Sequence, residues 1–208
     1  MTIREELTAI RRYLRDNGVE PTIRRAGDVL RERATAPWQR VYWLTASEVT
    51  ILDPPSGVDF RVVDSEDELT PLDWQNLQEN LAESDLDVVR HRLRQRCELH
   101  LLTEADELVG TRFVVWGHRH SFQHVPLVPQ DSIGLDLRIN PAFRGRRLAS
   151  PFLSLSTQNL ASRGCQRVFT VISVHNLRSI RSFEGVGFQY LCSYRQARGF
   201  YRYDRPVL

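Results

Sequence analysis

The sequence predicts an α/β fold built on a mixed, mostly antiparallel sheet, and three observations carry that expectation. Runs with strand patterning alternate with stretches of helical spacing from Val58 onward. Two strand-like runs flank the acidic turn Glu104-Ala105-Asp106-Glu107 as a meander, and two more close the chain as a hairpin. Taken in order, Asp59 to Val63 reads as a first strand, and Thr70 to Glu83 and Leu86 to Arg96 read as helices, the first opened by Thr70-Pro71. His100 to Thr103 and Leu108 to Trp116 form the meander. Leu135, Leu137 and Ile139 alternate with Asp136 and Arg138 as a half-buried strand that breaks at Pro141. Leu148, Phe152, Leu155 and Leu160 follow at helical spacing, and Gly164 caps that helix. Gln166 to Val174 reads as a fully buried strand, and Asn176 opens a helix with Leu177, Ile180 and Phe183 on one face and Gly187 at its end. Tyr190 to Tyr194 and Phe200 to Tyr203 make the closing hairpin.

Ahead of this domain, placed at residues 58–208, residues 1–57 read as an accessory segment. Glu5 to Asp16 and Ile23 to Arg33 are helical patterns studded with Arg. Val41 to Leu44 and Val49 to Leu52 flank a polar turn and predict a hairpin, and Asp53-Pro54-Pro55-Ser56-Gly57 reads as a linker. At 208 residues the chain is long enough for one substantial core plus such an appendage. No apolar run approaches the roughly 18 residues of a membrane span, and no leader pattern is visible, so a cytoplasmic location is expected. Cys97, Cys165 and Cys192 lack metal or redox spacing and read as reduced packing residues. Every one of the 28 basic side chains is Arg, yet the net charge is only +2, which argues against a dedicated nucleic-acid binder.

Chemistry concentrates in two places. In Asn140-Pro141-Ala142-Phe143-Arg144-Gly145-Arg146-Arg147-Leu148-Ala149-Ser150 a strand gives way to a basic turn and a helix start. Bends around Gly145 place backbone N–H groups and the positive end of a helix dipole beside Arg144, Arg146 and Arg147, which is the chemistry of a phosphate site. Downstream, Asn176-x-x-Ser179-x-x-x-Phe183-x-x-x-Gly187-Phe188 is a short helix entered through Asn and closed by Gly.

Together the two motifs resemble those of the GNAT superfamily of acyl-CoA-dependent N-acyltransferases, over about residues 58 to 203. The resemblance implies a sheet splayed between the strands ending near Ile139 and Val174, with helices on both faces. It further implies acetyl-CoA or another acyl-CoA as co-substrate, with no metal. The cofactor would be held by Leu137, Ile139, Arg144, Gly145, Arg146, Arg147, Leu148, Ala149, Ser150, Asn176, Ser179 and Phe183. A small-molecule or peptide amine is the implied acceptor, attacked directly in a ternary complex, with backbone N–H groups near Leu137 to Ile139 holding the oxyanion. An acyl carrier protein as donor and a homodimeric state are compatible with the pattern. Two positions depart from it: Arg147 stands where the family usually has its second glycine, and Phe183 replaces the tyrosine that protonates the departing thiolate in many relatives. These substitutions leave open a long-chain acyltransferase using acyl-CoA or acyl carrier protein, and a non-catalytic acyl-CoA-binding sensor or interaction module.

An amine must be neutral to attack a thioester, so a base is required. Asp136 lies on the right strand and is the candidate, with Asp131 just before it. His118, His120 and His124 form a second polar concentration in a long connector. They have ligand chemistry but no fourth partner nearby, which argues against a metal centre, and the resemblance implies that this connector borders the acceptor site.

Overall fold

The computed structural model describes residues 38–81, 83–117, 125–197 and 200–204. The expected helices at Glu5 to Asp16 and Ile23 to Arg33, and His118, His120 and His124, lie outside the described residues. The strands are β1 (Gln39–Thr45), β2 (Val58–Val63), β3 (Glu98–Glu104), β4 (Glu107–Trp116), β5 (Asp131–Ile139), β6 (Arg167–Ser173), β7 (Gln189–Ala197) and β8 (Phe200–Tyr203). The helices are α1 (Pro71–Asn80), α2 (Glu83–Arg94), α3 (Ala149–Ser162) and α4 (Leu177–Gly185). Among the described residues eight strands join one sheet in the order β2-β3-β4-β5-β6-β1-β7-β8, and only the β5/β6 pair is parallel.

Local chemistry explains the elements that the sequence located well. Thr70 caps α1 through a capping box with Asp73, Pro71 fills the first helical position, and Arg61 pairs with Asp73. Such a cap contributes about 1 kcal/mol. Ala105 and Asp106, both at positive φ (47° and 65°), form the two-residue loop that turns β3 into β4. Helix α3 ends where Cys165 N–H bonds to Leu160 O and Gly164 N–H to Ala161 O, with Gly164 at φ 87°.

Helices cover both faces of the sheet. Leu77 of α1 and Leu86, Val89 and Leu93 of α2 pack on Leu99, Leu101, Phe113 and Val115. On the other face Leu153 and Leu160 of α3 and Ile180 and Phe183 of α4 pack on Tyr42, Val114, Val168 and Ile172. Cys97, Cys165 and Cys192 are buried, and none forms a disulfide.

The expected boundary at residue 57 needs correction. Instead of pairing with residues 49–52 as a hairpin, β1 lies inside the sheet, hydrogen-bonded along β6 from Gln39↔Ser173 to Thr45↔Arg167 and along β7 on its other side. Val41-Tyr42-Trp43-Leu44 carries no polar alternation, which suits a strand with neighbours on both edges. A turn of 3-10 helix at Ala46–Glu48 follows, and Thr50 N–H then bonds to Val186 O and Leu52 N–H to Ser154 Oγ, so this segment packs against α3 and α4.

Candidate active site

The parallel β5/β6 pair holds only from Asp131↔Arg167 to Gly134↔Thr170, after which the strands part. Asp131, fully buried, locks the closed end: it accepts two hydrogen bonds from Arg167 (2.9 and 2.6 Å) and one from Val128 N–H. That makes Asp131 a structural residue, not a base. Beyond Gly134 the facing edges of β5 and β6 have no ladder partners, and a wedge of about 180 Å³ opens between them. Asp136 stands in the wedge at φ 45°, where Asp136 and Leu137 together oppose Arg112 of β4 in a β-bulge. Bulges of this kind re-aim backbone groups beside functional sites.

Of the sequence-predicted residues, the wedge brings together Asp136, Leu137, Asn176, Ser179 and Phe183. Asn176 opens α4 by accepting the Ser179 N–H with its Oδ1 (3.2 Å). Phe183 is 3% exposed and meets Phe188 edge to face at 4.9 Å. Asp136 is half-exposed and ion-paired with Arg92 of α2. Ile139 and the turn from Arg144 to Ser150 come at and after the end of β5 and do not line the wedge wall.

Just after β5, Asn140 Oδ1 accepts the Ala142 N–H, and Gly145 bends the chain at φ 85° with open space where a side chain would stand. The first helical bond of α3 is Phe152 N–H to Leu148 O, and Pro151 has no N–H, so Ala149 and Ser150 point donors out of the helix end. The three arginines differ in what they do. Arg146 is committed to Glu104 through two bonds of 2.6 Å and lies over Phe143, while Arg144 Nε donates to Ile139 O. Arg147 has no hydrogen bond or ion pair among the described residues and sits at φ 59°. Here a non-glycine residue holds the left-handed conformation that a glycine adopts without strain. Arg147→Gly should therefore stabilise the fold by about 1 kcal/mol. A thermal melt that stays level or falls would contradict this.

Sequence reasoning missed Arg112, Gly134 and Thr170 in the wedge wall. The signal for Arg112 was present as a charge within the otherwise apolar run Leu108 to Trp116. Its guanidinium ends a buried network. Arg163 grips Glu98 (2.8 and 2.6 Å), Trp116 Nε1 donates to Glu98 Oε1 (2.7 Å), and His100 Nε2 faces Glu98 Oε2 at 3.4 Å. Ser156 Oγ lies 2.8 Å from His100 Nδ1 and accepts from Arg112 Nη1 at 2.8 Å. Burial raises the proton affinity of Glu98, yet the bonds from His100, Arg163 and Trp116 override it and bring the pKa down to about 2. Burial lowers His100, which is accordingly neutral and accepts the Ser156 hydroxyl proton.

A family model described as the acetyltransferase (GNAT) family matches residues 66–188. No curated protein sequence matches significantly. Among solved structures, the chain is similar to a GCN5-related N-acetyltransferase from Sphaerobacter thermophilus, at 15% identity and TM-score 0.53, over 83% of this chain and 53% of that one. An acetyltransferase of the GNAT family from Colwellia psychrerythraea matches at 13% identity and TM-score 0.54, over 74% and 53%. The glucosamine N-acetyltransferase region of a fungal multi-domain GH3 β-N-acetylglucosaminidase matches at 14% and 0.58, over 86% and 23%. The chain thus spans about half or less of the length of these structures. At such identities they establish the fold. Among the described residues no helix is long and apolar enough to cross a membrane, and no group of three or more metal-ligating side chains occurs.

Proposed function

The chain belongs to the acetyltransferase (GNAT) family, and from that premise we propose that it moves a short acyl group from acyl-CoA to an amine. One observation carries the reading: β5 and β6 part after Gly134, and β5 then leads straight into the Gly145 turn and the start of α3. A CoA pyrophosphate at the turn would meet the Ala149 and Ser150 N–H groups, the helix dipole and Arg147, while the pantetheine arm would lie along the unpaired edges of β5 and β6. A wedge of about 180 Å³ is small against the roughly 300–1,000 Å³ of ordinary ligand pockets, which favours a short acyl group over a long chain.

The amine lone pair forms a bond to the thioester carbon, the C–S bond breaks, and CoA leaves as a thiolate. Backbone N–H groups at the bulge, from Leu137 to Ile139, would stabilise the oxyanion. Asp136 is the sole carboxylate in the wedge wall among the described residues, and it takes the amine proton directly or through water. Phe183 has no proton to give, so the thiolate takes its proton from solvent.

Calorimetric titration with CoA tests the reading. Affinity should fall as salt rises, and Arg147→Ala should lose about 1–3 kcal/mol, the worth of a charge-assisted contact. Arg146→Ala should cost less because Glu104 already occupies that guanidinium. Salt-insensitive binding, unchanged in Arg147→Ala, would remove the turn as the phosphate site. A thiol-release assay over a panel of amines then separates catalysis from mere binding.

A further inference from the structure

The blind end of the wedge carries a cation without a counter-ion. Among the described residues Arg112 is the largest fully buried side chain, at 0% exposure, and it lines the wedge where β5 and β6 begin to part. Among the described residues only Nη1 has a hydrogen-bond partner, Ser156 Oγ, while Nε and Nη2 have none. Burial brings its pKa down to about 10, so it is charged at neutral pH. The chain is shaped around it: a Cβ on Gly134 would stand 2.1 Å from Nη2 and 2.7 Å from Nε.

The charges nearby do not balance. Glu98 is gripped by Arg163 and Trp116, and neutral His100 and Ser156 stand between it and Arg112. Arg163 and Glu98 cancel, as do Arg92 and the wedge carboxylate Asp136, which leaves one positive charge in the wall of the wedge. A buried charge without compensation is strongly unfavourable, and a substrate carrying an anion would supply the missing partner. The wedge also says which part of the substrate arrives there. From Ile139 at the end of β5 to Gly134 at the closed end is five residues, about 17 Å at ~3.3 Å per residue. A CoA held by its pyrophosphate at the Gly145 turn and running down the wedge would deliver its acyl group to Arg112.

We propose that Arg112 binds a free carboxylate on the acyl group of the donor, so that the chain takes short dicarboxylic acyl-CoA thioesters of the malonyl and succinyl class. This rests on the acyl-CoA reading above, and the test separates the two. The full chain is titrated with CoA, acetyl-CoA, butyryl-CoA and succinyl-CoA, the last two sharing a four-carbon acyl chain and differing in the carboxylate. Succinyl-CoA should bind at least about tenfold more tightly than butyryl-CoA, the order of one charge-assisted contact. Arg112→Met should abolish that preference and Arg112→Lys should keep part of it. If Arg112→Met fails to fold, Arg112→Lys decides the same point, since a succinyl-CoA preference undiminished in that variant would remove Arg112 as the determinant. Equal binding of butyryl-CoA and succinyl-CoA overturns the inference and leaves the donor reading standing, whereas failure of every CoA compound to bind overturns both. A preference retained in Arg112→Met removes Arg112 as the determinant. A gain seen with carboxylated amines but not with succinyl-CoA assigns the anion to the acceptor and likewise overturns the inference.

Discussion

Replacing Glu98 with Leu should cost about 3–5 kcal/mol of folding stability, the range for breaking a buried, hydrogen-bonded charge pair by removing one partner. Glu98 is 3% exposed and is the one acceptor shared by Arg163, Trp116 and His100. Its loss strands the Trp116 N–H and a fully buried imidazole, and it leaves the Arg163 guanidinium without its carboxylate. The same carboxylate sets an acid limit. Its pKa falls from 4.5 in the unfolded chain to about 2 in the folded one, so its contribution is complete above pH 4.5 and is lost as pH falls toward 2. That shift amounts to about 3 kcal/mol. Denaturant melts between pH 7 and 2 would show the slope in the unaltered chain and a shallower one in Glu98→Leu, where Asp73 and Glu104 still contribute. A loss under 1 kcal/mol would mean that the network contributes little.

Gly134→Ala should cost about 1–3 kcal/mol by overpacking and should disturb the wedge as well. A long side chain struck at its tip can usually swing away. Arg112 cannot do so cheaply: it is fully buried, anchored on Ser156, and bounded by the Phe183 ring 5.9 Å from its Cζ. The new methyl group therefore displaces either the guanidinium or β5, where pairing with β6 ends. Thermal unfolding gives the cost, and parallel CoA titration shows whether the damage reaches the wedge. Unchanged values of both would mean that the guanidinium is free to move.

Local chemistry made much of this readable beforehand. The Thr70 cap, the Ala105-Asp106 turn, the Gly145 bend and the Asn176 helix start each depend on residues within a few positions of one another. Contacts between distant segments were another matter. The patterning of Val41 to Leu44 marks a strand, but nothing nearby names β6 and β7 as its partners. Arg112 and Gly134 each stand out as anomalies in their strands, yet only the pairing of β4 with β5 shows that one explains the other. Likewise, three clustered arginines predict an anion site without revealing that Glu104, 42 residues away, already holds Arg146.

The interior position of β1 has a consequence during synthesis. Trp43 faces Phe169, 126 residues later in the chain (169 − 43), and β7 comes later still. At about 5–20 residues per second, β1 waits on the order of ten seconds for its first partner after it is made. Throughout that time Val41-Tyr42-Trp43-Leu44 is an apolar strand with both edges bare, the kind of segment that recruits other chains. When β6 and β7 finally arrive they can align only through the strand made first, so the last step of sheet assembly depends on the earliest segment having stayed unengaged. Expression begun at Val58 should therefore give an aggregating product, with the β6 and β7 edges facing an empty slot.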